Sequence, residues 1–420
     1  MDGATFFRPT QNWNGEQVRF MTAGSVDDGK STLIGRLLLD SKVLMRDQAA
    51  GLDGDADEID LAALTDGLEA ERAQGITIDV AYRYFATPRT SFIIADSPGH
   101  EQYTRNMVTA ASVSDVAVIV IDVARVEQGV LRPQTRRHAA VAALMGLNII
   151  VAVNKMDLVG WSQDRFDEVR GAFNDVAGIL NIKNIAFVPV SAKRGENVVH
   201  RGGPDWYQGP TLVELLEGAP RKQSLATAPL RLPVQVVLRD GDTRLYAGRI
   251  ESGAVKPGDK VRVGPGAFAA TVAHVRVGGA GVAYAEVGAS VAVELSEDRD
   301  LAQGGVIADT EVRYARRVVA DLCWLDENAW VPGRRYRLRQ GALETQALIE
   351  EIRFVRDVSN LDNVPSSELK LNDIASVQVA ARDPILADAF AELPGTGAFV
   401  LFDADTNQTA AAGMIREIVQ

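Results

Sequence analysis

Two hydrophobic rhythms divide the chain. Up to about residue 220, short unbroken apolar runs alternate with stretches of helical spacing; beyond it, short β-rich runs separated by Gly, Pro and Asp take over. Residues 18–23 read as a buried strand, and Leu33, Ile34, Leu37 and Leu38 recur on one face of a following helix. Further apolar runs at 91–95, 116–123, 149–153 and 185–190 read as buried strands of parallel type. This alternation predicts an α/β fold, a doubly wound parallel sheet with its ligand loops at the carboxyl ends of the strands. Residues 232–238, 260–263 and 270–277 predict small β-barrels, with a turn cluster at 252–259 and a break near 309–316. The expected division is 1–222, 223–310 and 311–420, with the two barrels last.

Composition narrows the class. A chain of 420 residues with 46% hydrophobic content can bury several cores. Cys323 stands alone, so no internal disulfide forms, which is compatible with a reducing cytoplasm. Residues 1–17 are polar and rich in turn formers, unlike a signal peptide, and no run is long enough to span a bilayer. A soluble cytoplasmic protein is expected, with no membrane association. The formal charge of -12 disfavours general nucleic-acid binding, which recruits a basic patch.

The chemistry is carried by five elements. Gly24-Ser25-Val26-Asp27-Asp28-Gly29-Lys30-Ser31-Thr32 fits G-x-x-x-x-G-K-[ST] between the first strand and its helix, the context that a phosphate-cradling loop requires. Its glycines let backbone N–H groups close on phosphate oxygens, Lys30 can bridge the terminal phosphates, and Ser31 offers a hydroxyl to a magnesium ion. Residues 71–79 form a loop in which Thr77 is placed to bind magnesium and sense the γ-phosphate. At the end of the 91–95 strand, Asp96 can hold magnesium through water, while the Gly99 N–H meets a γ-phosphate. Asn154-Lys155-Met156-Asp157 follows the 149–153 strand. The Asp157 carboxylate can accept both N–H groups on the guanine edge, whereas adenine leaves it desolvated and unpaired. Ser191-Ala192-Lys193 can then bring a backbone N–H to the guanine O6 and lay Lys193 along the base. In this order the five elements describe a GTPase of the translation-factor type, with GTP and Mg2+ as its ligands.

Beyond those elements, Asp66 to Arg72, Gly75 to Phe85 and Pro98 to Met107 resemble the GTPase subunit of bacterial sulfate adenylyltransferase. So do Trp206 to Leu212, Leu371 to Ile374 and Phe402 to Ile415. Elongation factor Tu is similar too, but typically carries histidine where this chain has Asp28 and threonine where it has Ser31. The resemblance implies a regulatory GTPase bound to a separate catalytic subunit, of the ATP pyrophosphatase type, that makes adenosine 5'-phosphosulfate and pyrophosphate from ATP and sulfate. No second phosphate loop follows, so a stand-alone subunit is expected rather than a fusion with an adenylylsulfate kinase. Two readings stay beside it: a translation GTPase binding aminoacyl-tRNA, and a GTP-occupied scaffold.

His100, directly after Pro98-Gly99, is the residue expected to orient the attacking water; with Lys30 and Thr77 it completes the catalytic set. His138, His200 and His274 read as solvated or hydrogen-bonded structural histidines. Arg72, Arg105, Arg136 and Arg137 lie near the motifs but read as surface or partner-facing ion pairs, and no arginine finger is identified. The acidic segment 47–66 reads as a mobile switch leading to Thr77. Ser97 stands where relatives usually carry threonine, a change expected to be harmless, and residues 125–132 form a longer loop than is typical.

Overall fold

The computed structural model describes residues 16–41, 61, 80–97, 104–219, 225–241, 243–297 and 299–419. They fall into two compact units, Met1–Pro220 and Arg221–Gln420.

The first unit is a six-stranded sheet built from β1 (Glu16–Ala23), β2 (Ala81–Ala86), β3 (Thr90–Asp96), β4 (Val116–Asp122), β5 (Asn148–Asn154) and β6 (Ile185–Pro189). Their order across the sheet is β2-β3-β1-β4-β5-β6, with every pair parallel except β2 against β3. The helices are α1 (Lys30–Asp40), α2 (Thr104–Ser112), α3 (Pro133–Leu144), α4 (Gln163–Leu180) and α5 (Leu212–Glu217). β4 is buried at every position, the mark of a central parallel strand covered on both faces. Proline opens α3, where its missing N–H is no loss. Ser162 caps α4, Asn181 ends it at φ 55, and a reciprocal Thr211/Glu214 capping box starts α5.

The predicted apolar face of α1 is buried: Leu33, Ile34, Leu37 and Leu38 join one core with Phe20, Phe85 and Phe92. Phe85 and Phe92 stack with centroids 4.5 Å apart. Each such leucine contributes about 1.5–3 kcal/mol on burial, which anchors the helix whose first turn begins at Lys30. β2 was not anticipated. It is an edge strand covered on one face only, so Tyr82 and Tyr84 stay exposed and no buried run announces it.

The second unit holds two closed β-rings. In the first, Arg231–Pro233 pairs with Val306–Ala308 and Val236–Asp240 pairs with Thr243–Arg249. Between them Val234 N–H donates to Gly305 O at 2.8 Å and Gln235 N–H to Ala247 O at 2.8 Å, so one extended path changes partner and shuts the ring. That is why the run expected at 232–238 is two strands. In the second ring Tyr336–Gln340 pairs with both Leu343–Arg356 and Ala398–Asp403, which closes the order into a barrel. Each ring has its own apolar core, and Trp324 meets Tyr336 edge to face at 5.9 Å in the second. A buried ion pair links the rings: Arg231 Nε and Nη2 donate to Asp388 at 3.0 and 3.2 Å, and Thr396 Oγ1 donates to the same carboxylate at 2.6 Å.

Candidate functional site

Register brings the motifs to one edge. Thr22 lies opposite Asp96 and Val118, Asp122 opposite Asn154, and Val153 opposite Pro189. Parallel strands in this register release the loops after β1, β3, β4, β5 and β6 on the same side of the sheet.

The loop between β1 and α1 needs its glycines. Gly24 sits at φ +156, where a Cβ would come within 2.6 Å of Val120 O, and Gly29 at φ +95, where it would strike the Asn154 amide. Asp28 folds inward and accepts the Ser25 N–H at 2.8 Å. Burial pushes its pKa up, against the lowering effects of that hydrogen bond and of Lys30. Asp28 therefore shapes the loop from within. Lys30 Nζ donates to the carbonyls of Gly24 and Ser25 at 2.8 and 3.0 Å. Burial lowers its pKa, while Asp28, Asp96 and Asp27 favour the ammonium. Ser31 and Thr32 are half-buried in the first turn of α1, where N–H groups and the helix dipole favour an anion.

At the end of β3, Asp96 is 2% exposed and accepts the Thr22 hydroxyl at 3.0 Å. Ser97 is buried and donates to Thr22 O at 2.6 Å, so the residue that departs from the usual threonine fastens β3 to β1. The Asp96 carboxylate and the Ser31 hydroxyl are hard oxygen donors of the kind magnesium takes, and the donor set fits that ion. Thr77, Gly99 and His100 lie outside the described residues, as do Arg72 and, except for Leu61, the acidic segment 47–66.

At the ends of β5 and β6 Asn154 is the hub. Its Nδ2 donates to Asp28 O at 2.9 Å and its Oδ1 accepts the Ala192 N–H at 3.0 Å, tying the phosphate loop to the Ser191–Ala192–Lys193 turn. Lys155, at φ 61, donates from Nζ to Asp27 O at 2.7 Å and to Asp122 Oδ2 at 2.7 Å. The Asp157 side chain is 10% exposed and faces Arg194 Nε at 3.8 Å. Ser191 Oγ accepts the Arg194 N–H at 3.3 Å, and Lys193 is exposed beside the turn. The structure thus brings Gly24 to Thr32, Asp96, Asn154 to Asp157 and Ser191 to Lys193 to one sheet edge.

Four residues went unread in the sequence. Asp122, at the end of β4, holds Lys155 and caps the turn at Ala124. Arg125 donates to Val26 O at 2.8 Å and meets Asp27 at 3.3 Å, so the long loop after β4 leans on the phosphate loop. Thr135 on α3 lies 3.3 Å from the Ser25 hydroxyl. Arg36 on α1 reaches the base-side turn. Only Asp122 and Arg125 carried a signal, as charges at a strand end beside a loop of unusual length. Of the arginines read as surface groups, Arg105 is exposed, whereas Arg137 is buried and bonded to Gln134.

His138 is buried beneath this loop rather than solvated, with Nε2 3.1 Å from the Gln134 amide and Nδ1 lacking a hydrogen-bond partner. Burial, reinforced by Lys30 and Arg137, pushes its pKa down from 6.5 to about 3. Between those values the unfolded chain binds one proton more than the folded one, so stability falls as pH drops through that window. The slope from this group is about 1.4 kcal/mol per pH unit. In urea unfolding at pH 6 and pH 5, His138→Gln is expected to lose less stability than the native chain. Equal losses in both would show that His138 does not titrate this way.

The chain matches the family described as the elongation factor Tu GTP binding domain over residues 16–226, and the GTP-eEF1A C-terminal domain-like family over residues 317–416. It is 44% identical over 410 residues to the bifunctional enzyme NodQ of Rhizobium sp. (strain N33), covering 95% of this chain but only 63% of that longer protein. It is 44% identical over 412 residues to sulfate adenylyltransferase subunit 1 of Aeromonas salmonicida (strain A449), covering 95% of this chain and 87% of the relative. The corresponding protein of Methylorubrum populi is 43% identical over 416 residues, 96% and 88% of the two chains. The chain, in which Asn154 ties the loop from Gly24 to Thr32 to the turn at Ser191 to Lys193 and which matches these relatives over nearly its whole length, belongs to the sulfate adenylyltransferase subunit 1 family of elongation factor Tu-like GTPases.

Proposed function

We propose that this chain is the GTP-hydrolysing subunit of a heterodimeric sulfate adenylyltransferase, coupling GTP hydrolysis to formation of adenosine 5'-phosphosulfate and pyrophosphate from ATP and sulfate on a separate catalytic subunit. The observation that carries this reading is the Asn154 side chain, whose two bonds hold the phosphate loop against the base turn. Relatives named subunit 1 support a partner subunit, for which an ATP pyrophosphatase-type enzyme is our reading. The cytoplasm is the proposed location; no helix among the described residues is long and apolar enough to cross a membrane. The division at 1–222, 223–310 and 311–420 assigns hydrolysis to the first part.

The mechanism follows from what each residue can do. Backbone N–H groups of the loop from Gly24 to Thr32 and the start of α1 bind the phosphates. Lys30, which Asp28, Asp96 and Asp27 favour as the ammonium against the effect of burial, shifts from the loop carbonyls to a phosphate oxygen and offsets charge on the leaving diphosphate. Ser31, Asp96 and Thr77 would hold magnesium, which when bound supplies charge neutralisation across the terminal phosphates. Asp157 reads the guanine N–H edge and the 191–193 turn reads O6. His100 orients the water for in-line attack on the γ-phosphorus.

Steady-state GTP hydrolysis, measured for the chain alone and then with the catalytic subunit, ATP and sulfate, tests the assignment. Stimulation of about tenfold or more is expected, with adenosine phosphosulfate formed in step. Normal GTP binding without stimulation would point instead to a translation-type or scaffold role.

A further inference from the structure

Arg36 sits six residues beyond Lys30 on α1, about 9 Å farther along the helix axis. Its side chain is 7% exposed, and its guanidinium is spent on the base-side turn. Nε donates to Ala192 O at 3.3 Å, one terminal nitrogen donates to Lys193 O, and the other donates to Asp40 Oδ1 at 3.3 Å. Gly195 completes the joint at φ +83, where a Cβ would stand 3.1 Å from Arg36 Cδ and 3.2 Å from Asp40 Oδ2. A buried guanidinium is expensive unless it is paired and hydrogen-bonded, and here each of its three nitrogens donates, two of them to successive carbonyls and one to a carboxylate.

Two pinned carbonyls fix two peptide planes. In a trans peptide the carbonyl and the next N–H point in opposite directions. Holding the Ala192 and Lys193 oxygens toward α1 therefore aims the following N–H groups away from the helix. The Arg194 N–H, the second of these, indeed meets Ser191 Oγ. From this geometry we infer that Arg36 is a positioning residue for base recognition, clamping the turn that faces the purine O6 to the helix whose first turn holds the phosphates. The inference rests on the guanine-nucleotide reading above, and assigns to α1 the task of holding the turn's N–H in place for the purine O6.

The test uses three diphosphates with the full chain. GDP and IDP both carry O6, whereas 2-aminopurine riboside diphosphate lacks it. Arg36→Met, which keeps an unbranched stem in the core, is expected to speed GDP dissociation about tenfold, equivalent to 1.4 kcal/mol. IDP should weaken by the same factor and the 2-aminopurine nucleotide should not change. Arg36→Lys should fall between, and Gly195→Ala should reproduce the pattern from the turn side even if Arg36→Met fails to fold. Unchanged GDP dissociation, or equal weakening of all three nucleotides, would overturn the inference. Asp157→Asn run in parallel distinguishes failure of the clamp from failure of the guanine-nucleotide reading. A loss of GDP binding there with no effect at Arg36 refutes only the clamp; intact GDP binding there refutes the guanine reading and the clamp with it.

Discussion

Asp157→Asn is expected to weaken GDP binding by roughly a thousandfold and to raise affinity for xanthosine diphosphate. The native carboxylate is only acceptor, matched to two adjacent N–H donors on guanine. Its side chain is 10% exposed, with Arg194 at 3.8 Å, so little water remains to take the place of the base. An asparagine there turns one acceptor into a donor, which faces the guanine amine donor to donor and leaves both buried and unpaired. Xanthine replaces that amine by a carbonyl and restores the match. Displacement of a fluorescent GDP analogue by GDP and by xanthosine diphosphate reads both changes. A variant that retains native preference for guanine would remove Asp157 from base recognition.

His100→Ala is expected to leave GTP affinity within about twofold and to lower the hydrolysis rate by roughly a hundred- to a thousandfold. Residue 100 lies outside the described residues; in the sequence it directly follows the Pro98-Gly99 segment after Asp96, where the γ-phosphate would be met. Single-turnover hydrolysis with binding measured separately distinguishes the two quantities. An unchanged rate would exclude His100 from the mechanism, and loss of binding would make it a structural residue.

The motifs at 24–32, 96–99, 154–157 and 191–193 were legible because each is a short run of obligatory residue types after an apolar strand. Gly24 and Gly29 are required by close approach to their backbone, and β3, β4, β5 and β6 announce themselves as short continuous apolar runs. What escaped the sequence was set by tertiary contact. Arg36 and Asp40 stand at i and i+4 on a helix, the spacing of an ordinary solvated ion pair. Only the turn folding over from residue 192 makes that pair a buried joint. Asp27 and Lys155 adopt positive φ values of 66 and 61 without being glycine. The ammonium of one bonds the carbonyl of the other at 2.7 Å, a contact spanning well over a hundred residues that no local pattern encodes. β2 escaped because a one-sided edge strand with exposed tyrosines has no continuous apolar run.

The ring closed by Tyr336–Gln340 has a kinetic meaning. A strand in an open sheet can peel from the edge and expose a row of unpaired amides that templates association with another chain. Here the closing strand is bonded along both sides, to Leu343–Arg356 and to Ala398–Asp403, so no member of the ring can fray first. Release requires two ladders to break together, and amides of that strand should exchange with solvent only through opening of the whole barrel.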